Sequence, residues 1–257
     1  MKIASVVWNP NITLSDVEKY IQSVLSHANK TAQNIIVFPG LLDSVYSTTN
    51  QSILNIVLQF SKKVSNVLIC PGSYFEQEDG KIYHSSCFIQ NGEIVLKQRQ
   101  LYLAKWEREL GLSRGSDLSL YTFHSVKIAL IISTDVFYPQ VTRYAALQGV
   151  HLVLSPVAII EDGNISTQIS GLWQNVQQNT IFGVESGYKG TYNQLSFYSE
   201  SMIHGPIDIT EDENGILASE QNNQPFVSAI IQPKQLQNNI SFQPLKQLNP
   251  TAYTDLF

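Results

Sequence analysis

The chain has 257 residues, long enough to bury a large core, and 43% of them are hydrophobic while only 14% are charged. A net charge of −5 leaves no electrostatic footprint for nucleic acid or an anionic membrane, and no run of about 18 apolar residues marks a membrane span. With no Pro/Gly/Ser-rich linker, residues 1–257 read as one domain; the apolar run in "MKIASVVWNPN" is too short for a signal peptide, so a soluble, cytoplasmic protein is expected.

Taken in chain order, "KIASVVWN" reads as a strand. The helix "SDVEKYIQSVLSHANKTA" follows, with Ser15 and Glu18 spaced as a capping box and Val17, Ile21, Val24 and Ala28 on one face. "NIIVFPG" is a short strand ended by Pro39-Gly40, and a helical pattern fills roughly 50–64. Strand-like runs then succeed one another at 66–74, 82–90, 93–100, 118–124 and 127–133. Cys70 and Cys87 flank a hairpin turning near Asp79-Gly80, which permits a disulfide without requiring one; two buried thiols suit a reducing compartment. The helix "PQVTRYAALQG" has Gly149 just past its end, and the strand "HLVLSPVA", a helix near 167–179 and four more strand-like runs complete the chain. Helices alternating with strands in the outer parts, and strands alone in the middle, predict two packed sheets with helices outside.

Isolated motifs add little. The five histidines show no metal-ligand spacing, so neither a metal nor another cofactor is expected, and "ESGYKGTY" lacks the Gly-Lys-Ser/Thr order of a phosphate loop and reads as a turn between strands. Sequons at Asn11 and Asn164 would matter only in a secreted chain.

The segments "VFPGLLDSVYS", "CPGSYFEQEDGKIYHSSCFIQNGEIVLKQRQLYL", "KIALIISTDVFYP" and "ALQGVHLVLSPVA", in that order, resemble the nitrilase superfamily of carbon-nitrogen hydrolases. "FYSESMIHGP" and the ending "AYTDLF" resemble its closing strands. The resemblance implies an α/β fold, a four-layer α-β-β-α sandwich that dimerises through its outer helices. It also implies hydrolysis of amides, nitriles or carbamoyl groups by a Cys nucleophile, a Glu that moves protons and a Lys that holds the oxyanion. Resting amides demand such a set: a strong nucleophile, a base in hydrogen-bond reach, and a cation where negative charge develops.

At the three positions this resemblance assigns, the chain departs. The Glu position after Phe38-Pro39 is Gly40, the Lys position in "KQRQLYL" is Gln100, and the Cys position in "IISTD" is Ser133. Moving Lys97 or Arg99 into the Lys column would turn its side chain to the opposite face of the strand. A further Glu of the family site corresponds to Glu107 or Glu109, and the family's helical Arg and Glu correspond to Asn175 and Gln178, with Asn179 kept. Asp135 suits backbone groups at the strand-to-helix turn; Tyr102, Trp106, Phe137 and Trp173 suit either the core or a pocket lining.

A serine depends on a base more than a cysteine does, and losing a base costs on the order of 10²–10⁴ in rate, an oxyanion donor about 10²–10³. Removing an acid and a base together with neutral replacements also avoids leaving one buried charge unpaired. The expected function is therefore that of a pseudoenzyme: a binder of a small amide or carboxylate, a homodimer, or a partner in a hetero-complex with an active relative. Two alternatives stay open, a hydrolase using Ser133 with Glu107 or Glu109, and a structural oligomer.

Overall fold

The computed structural model describes residues 1–46, 52–160, 165–221 and 224–238. Residues 50–51 of the predicted second helix, Asn164 of the second sequon and the ending "AYTDLF" lie outside them.

The strands are β1 (Lys2–Val6), β2 (Ile35–Val37), β3 (Leu68–Cys70), β4 (Ser73–Glu78), β5 (Lys81–Gln90), β6 (Glu93–Arg99), β7 (Leu120–Phe123), β8 (Val126–Leu130), β9 (Leu152–Val157), β10 (Phe182–Gly187), β11 (Lys189–Tyr192), β12 (Leu195–Tyr198), β13 (Met202–His204), β14 (Ile216–Ser219) and β15 (Phe226–Ile230). The helices are α1 (Val17–Lys30), α2 (Leu42–Tyr46), α3 (Ile53–Ser61), α4 (Lys105–Glu109), α5 (Pro139–Leu147), α6 (Ile165–Ile169), α7 (Leu172–Asn179) and α8 (Gln235–Asn238).

Among the described residues one sheet runs β15-β1-β2-β3-β5-β4, with β6 also on β5, and a second runs β14-β13-β10-β9-β8-β7. Strand alternation divides the apolar residues cleanly. Ile3, Ile35, Val37 and Leu68 face Ile128, Leu130, Leu154 and Val184 between the sheets. The opposite side of the first sheet, including Ala4, Val6 and Ile36, packs on Val17, Ile21, Val24 and Ala28 of α1 and on Ile53 and Val57 of α3. On the second sheet Ala129, Ile131 and Val153 meet Val141 and Ala145 of α5 and Leu172 and Val176 of α7. The result is the expected α-β-β-α sandwich. No helix of the described residues is long and apolar enough to cross a membrane.

Several local expectations change. Asp16 rather than Ser15 is the N-cap of α1: the Ser15 hydroxyl meets Thr13 Oγ1 at 2.8 Å, Val17 N donates to Thr13 O, and Gln22 engages Glu18. The helix near 167–179 is two, α6 and α7, because the backbone at Gly171 leaves the helical region (φ −87°, ψ −109°); a Cβ there would meet Val136 Cγ2 at 2.8 Å. Among the described residues the last part of the chain holds six strands rather than four, the extra pair being the β11-β12 hairpin, and "ESGYKGTY" runs from β10 into β11. Cys70 lies in the core between the sheets and Cys87 in the core under α1 and α3; both are free, so the disulfide option closes.

Candidate active site

The site forms where β2, β6, β8 and β9 end together. Beyond β8, Ile131 and Ile132 stay buried and the chain then turns sharply through a short 3-10 turn, Ser133–Phe137, into α5. Ser133 holds a left-handed φ of +46°, a strained conformation for a side chain with a Cβ and a common mark of a functional turn. Two neighbours pin the turn. The Asp135 carboxylate accepts from the N–H groups of Leu101 (2.9 Å) and Tyr102 (2.7 Å), and Asn175 Nδ2 donates to Val136 O at 2.7 Å. Burial pushes the Asp135 carboxyl up to about 7, opposed by those two N–H groups and reinforced by Glu107.

The Ser133 hydroxyl is buried and donates to Ala158 O at 2.9 Å, with Ala158 N within 3.4 Å of the same oxygen. Gly40 packs on the same strand end, its N–H donating to Val157 O at 3.3 Å. A Cβ at residue 40 would lie 2.9 Å from the Val157 carbonyl carbon and 3.1 Å from Ala158 Cβ. Any larger side chain at 40 therefore requires the backbone after β9 to move.

Gln100 enters from the end of β6. Its Nε2 lies 2.6 Å from Thr134 Oγ1, 2.8 Å from Tyr102 O and 2.9 Å from Glu107 Oε2, while Oε1 is buried with no partner among the described residues. Glu107, fully buried on α4, also accepts from Ala104 N at 2.6 Å through Oε2. Its Oε1 meets His84 Nδ1 at 2.6 Å, and His84 Nε2 lies 2.6 Å from Ser73 Oγ. Leu41 N donates to Ser73 Oγ, so the arrangement that satisfies every atom sends the Ser73 proton to His84 Nε2 and the Nδ1 proton to Glu107. A closed polar relay thus joins the residue after Gly40 to Gln100 and, through Thr134, to the turn at Ser133.

The structure brings Gly40, Gln100, Glu107 and Ser133 to one place and leaves Glu109 out: Glu109 is exposed and lies 3.8 Å from Lys105 Nζ. Lys97 and Arg99 point away, to Glu76. Trp106 packs between Phe75 and Phe197, Tyr102 stacks on Tyr138, Phe137 packs against the α5-α7 core, and Trp173 donates to Asn214 O away from the site. Sequence reasoning missed Ser73 and His84. The signal was present in "HSSC", three successive polar residues, all fully buried, inside a strand with apolar flanks. Among the described residues no cluster of three or more His, Cys, Asp or Glu suits a metal ion.

A family model described as carbon-nitrogen hydrolase matches residues 2–210. The probable hydrolase YhcX of Bacillus subtilis is 29% identical over 164 residues, covering 62% of this chain but only 32% of that protein. A probable nitrilase of Schizosaccharomyces pombe is 24% identical over 244 residues, 85% of each chain. An amidase from Nesterenkonia sp. shares the fold with a TM-score of 0.78 at 14% identity, covering 100% of this chain and 96% of that one. The family model matches most of the sequence and the sandwich agrees with it: the chain belongs to the carbon-nitrogen hydrolase family of the nitrilase superfamily.

Proposed function

We propose that this member of the family does not carry out the family's hydrolysis and acts in the cytoplasm as a binder of a small amide or carboxylate, or as a non-catalytic partner subunit. The observation that carries the reading is the pairing of Ser133 with Ala158: the hydroxyl proton is held by a backbone carbonyl, and Gly40, packed on the same strand end, brings no base. Glu107 is the nearest candidate base in the network, but His84, Gln100 and Ala104 occupy its oxygens, and Gln100 and Thr134 stand between it and the turn at Ser133. A neutral amide at residue 100 offers dipoles where the resemblance implies a cation. Losing the base and the oxyanion cation together removes factors of about 10²–10⁴ and 10²–10³, which need not multiply but leave little turnover by that route. Exposed Tyr144 and Leu147 on α5 support assembly through the outer helices.

The test is ammonia release from a panel of amides, nitriles and carbamoyl compounds by the parent protein and Ser133→Ala. No release from either, with a panel compound raising the melting temperature of the parent, is the expected result. Release by the parent that disappears in Ser133→Ala establishes a serine hydrolase and overturns the reading.

A further inference from the structure

We propose that a groove on the outer side of β6 binds a small polyanion carrying phosphate or carboxylate groups. The groove encloses about 440 Å³, within the range of about 300–1,000 Å³ usual for small-molecule sites, and is lined by Lys81, Lys97, Arg99 and Arg114 together with Tyr83 and Ser116. The whole chain has only 16 Lys and Arg residues, so four on one groove of a protein with net charge −5 is a marked concentration.

These cations are organised by the surrounding residues. Glu76 holds Lys97 Nζ at 2.6 Å and Arg99 Nε at 3.0 Å, Glu78 takes Arg99 Nη2, and the guanidinium lies 3.9 Å over the Tyr83 ring. Burial pushes the Glu76 carboxyl up, but hydrogen bonds from Arg99, Lys97 and Ser85 outweigh it and hold the group at about 2, so it stays ionised. Arg99 Nη1 takes no part in these bonds, and neither Lys81 nor Arg114 has an ion-pair partner among the described residues. The far wall is fixed by Ser113 N to Ile82 O (2.7 Å), Gly115 N to Gln100 O (2.8 Å) and Gln98 Nε2 to Asp117 O (2.7 Å). A Cβ at Gly115 would stand 2.8 Å from Arg99 Cβ, so only glycine lets the wall approach this closely.

Against the four cations stand three carboxylates, Asp117 in the lining and Glu76 and Glu78 behind it. Lys81 on β5 and Arg114 on the loop beside it line the same groove and appear in no ion pair among the described residues, so both can turn to a small ligand that carries more than one negative charge. A long polyanion is disfavoured by the acidity of the rest of the chain.

Equilibrium dialysis tests this with inorganic pyrophosphate in one arm and citrate in the other, for the parent, Lys81→Gln/Arg114→Gln and the exposed control Lys105→Gln. Saturable binding of at least one anion by parent and control, weakened about tenfold or more in the double variant, is expected; the arm that binds names phosphate or carboxylate as the recognised group. Equal binding by all three proteins, or no saturable binding in either arm, overturns the proposal. None of these substitutions touches the Ser133 turn, so the outcome is independent of whether the chain hydrolyses amides.

Discussion

Glu107 and His84 meet at 2.6 Å beside the first sheet, and Glu185 and His204 at 2.8 Å on the second, with all four side chains fully buried. The first pair is embedded: Ser73, Gln100 and Ala104 N contact its atoms, so both histidine nitrogens and both carboxylate oxygens are occupied. The second is isolated. Glu185 Oε1, His204 Nδ1 and the hydroxyl of Ser155, opposite Glu185 on β9, have no partner among the described residues. Two contacts of the same kind are therefore held in place by different physics. A buried acid–base pair by itself roughly balances its desolvation, whereas one that also satisfies several neighbours cannot be removed without orphaning them.

The largest effect is expected from emptying the embedded pair. His84→Leu/Glu107→Leu leaves the Ser73 hydroxyl without an acceptor and Ala104 N without the carboxylate, at about 1–3 kcal/mol each, while Gln100 Nε2 keeps Tyr102 O and Thr134 Oγ1. A loss of roughly 2–6 kcal/mol in urea unfolding should follow, and a loss near zero would break the distinction between the pairs. His204→Leu alone should cost about 3–5 kcal/mol, because it strands Glu185 with no donor in reach.

The embedded region also carries a pH signature. The folded-state value of Asp135, about 7, stands above an ordinary value of 3.8. Between those values the folded chain binds the proton and the unfolded chain has lost it, so this contribution is fully present below about 3.8, declines as pH rises to about 7, and is flat above. Stability measured at pH 5 and pH 7 should fall between the two in the parent and fall less in Asp135→Asn; equal slopes would remove Asp135 as the source. Gly40→Ala should cost about 1–3 kcal/mol by driving a Cβ into the Val157 carbonyl. A neutral result would mean that the strand end yields and that a larger side chain could be accommodated at 40.

What the sequence disclosed follows the range of the interactions. The faces of α1 and the alternation of β1, β2 and β8 are written in residues two to four apart, so the sandwich was legible, as was the turn that presents Ser133. Strand parity also separated Gln100 from Lys97 and Arg99, whose side chains go to Glu76. The break at Gly171 left a glycine inside an apparent helix, a signal that helical periodicity overrode. The relay from Ser73 through His84 to Glu107 spans β4, β5 and α4; the polar run "HSSC" marks its middle, but no local pattern reports its partners on β4 and α4. Nor could the sequence decide between Glu107 and Glu109: they differ by two residues on a single turn of helix, and only its packing buries one and exposes the other.

The smallest expected effect is the most diagnostic for the isolated pair. In Glu185→Leu/His204→Leu both partners leave together, and the unpartnered Glu185 Oε1 and His204 Nδ1 leave with them. Glu185 shares its face of β10 with Gly183, where a Cβ would meet Val176 and Leu172 of α7, so the replacements enter an apolar layer. Buried pairs replaced by hydrophobic residues of similar volume are often neutral or stabilising by about 1–4 kcal/mol. The double variant should therefore recover most or all of the stability lost in His204→Leu, and its unfolding midpoint should match or exceed that of the parent. If it instead loses as much as His84→Leu/Glu107→Leu, the second pair is as embedded as the first, and the asymmetry between the two sheets fails.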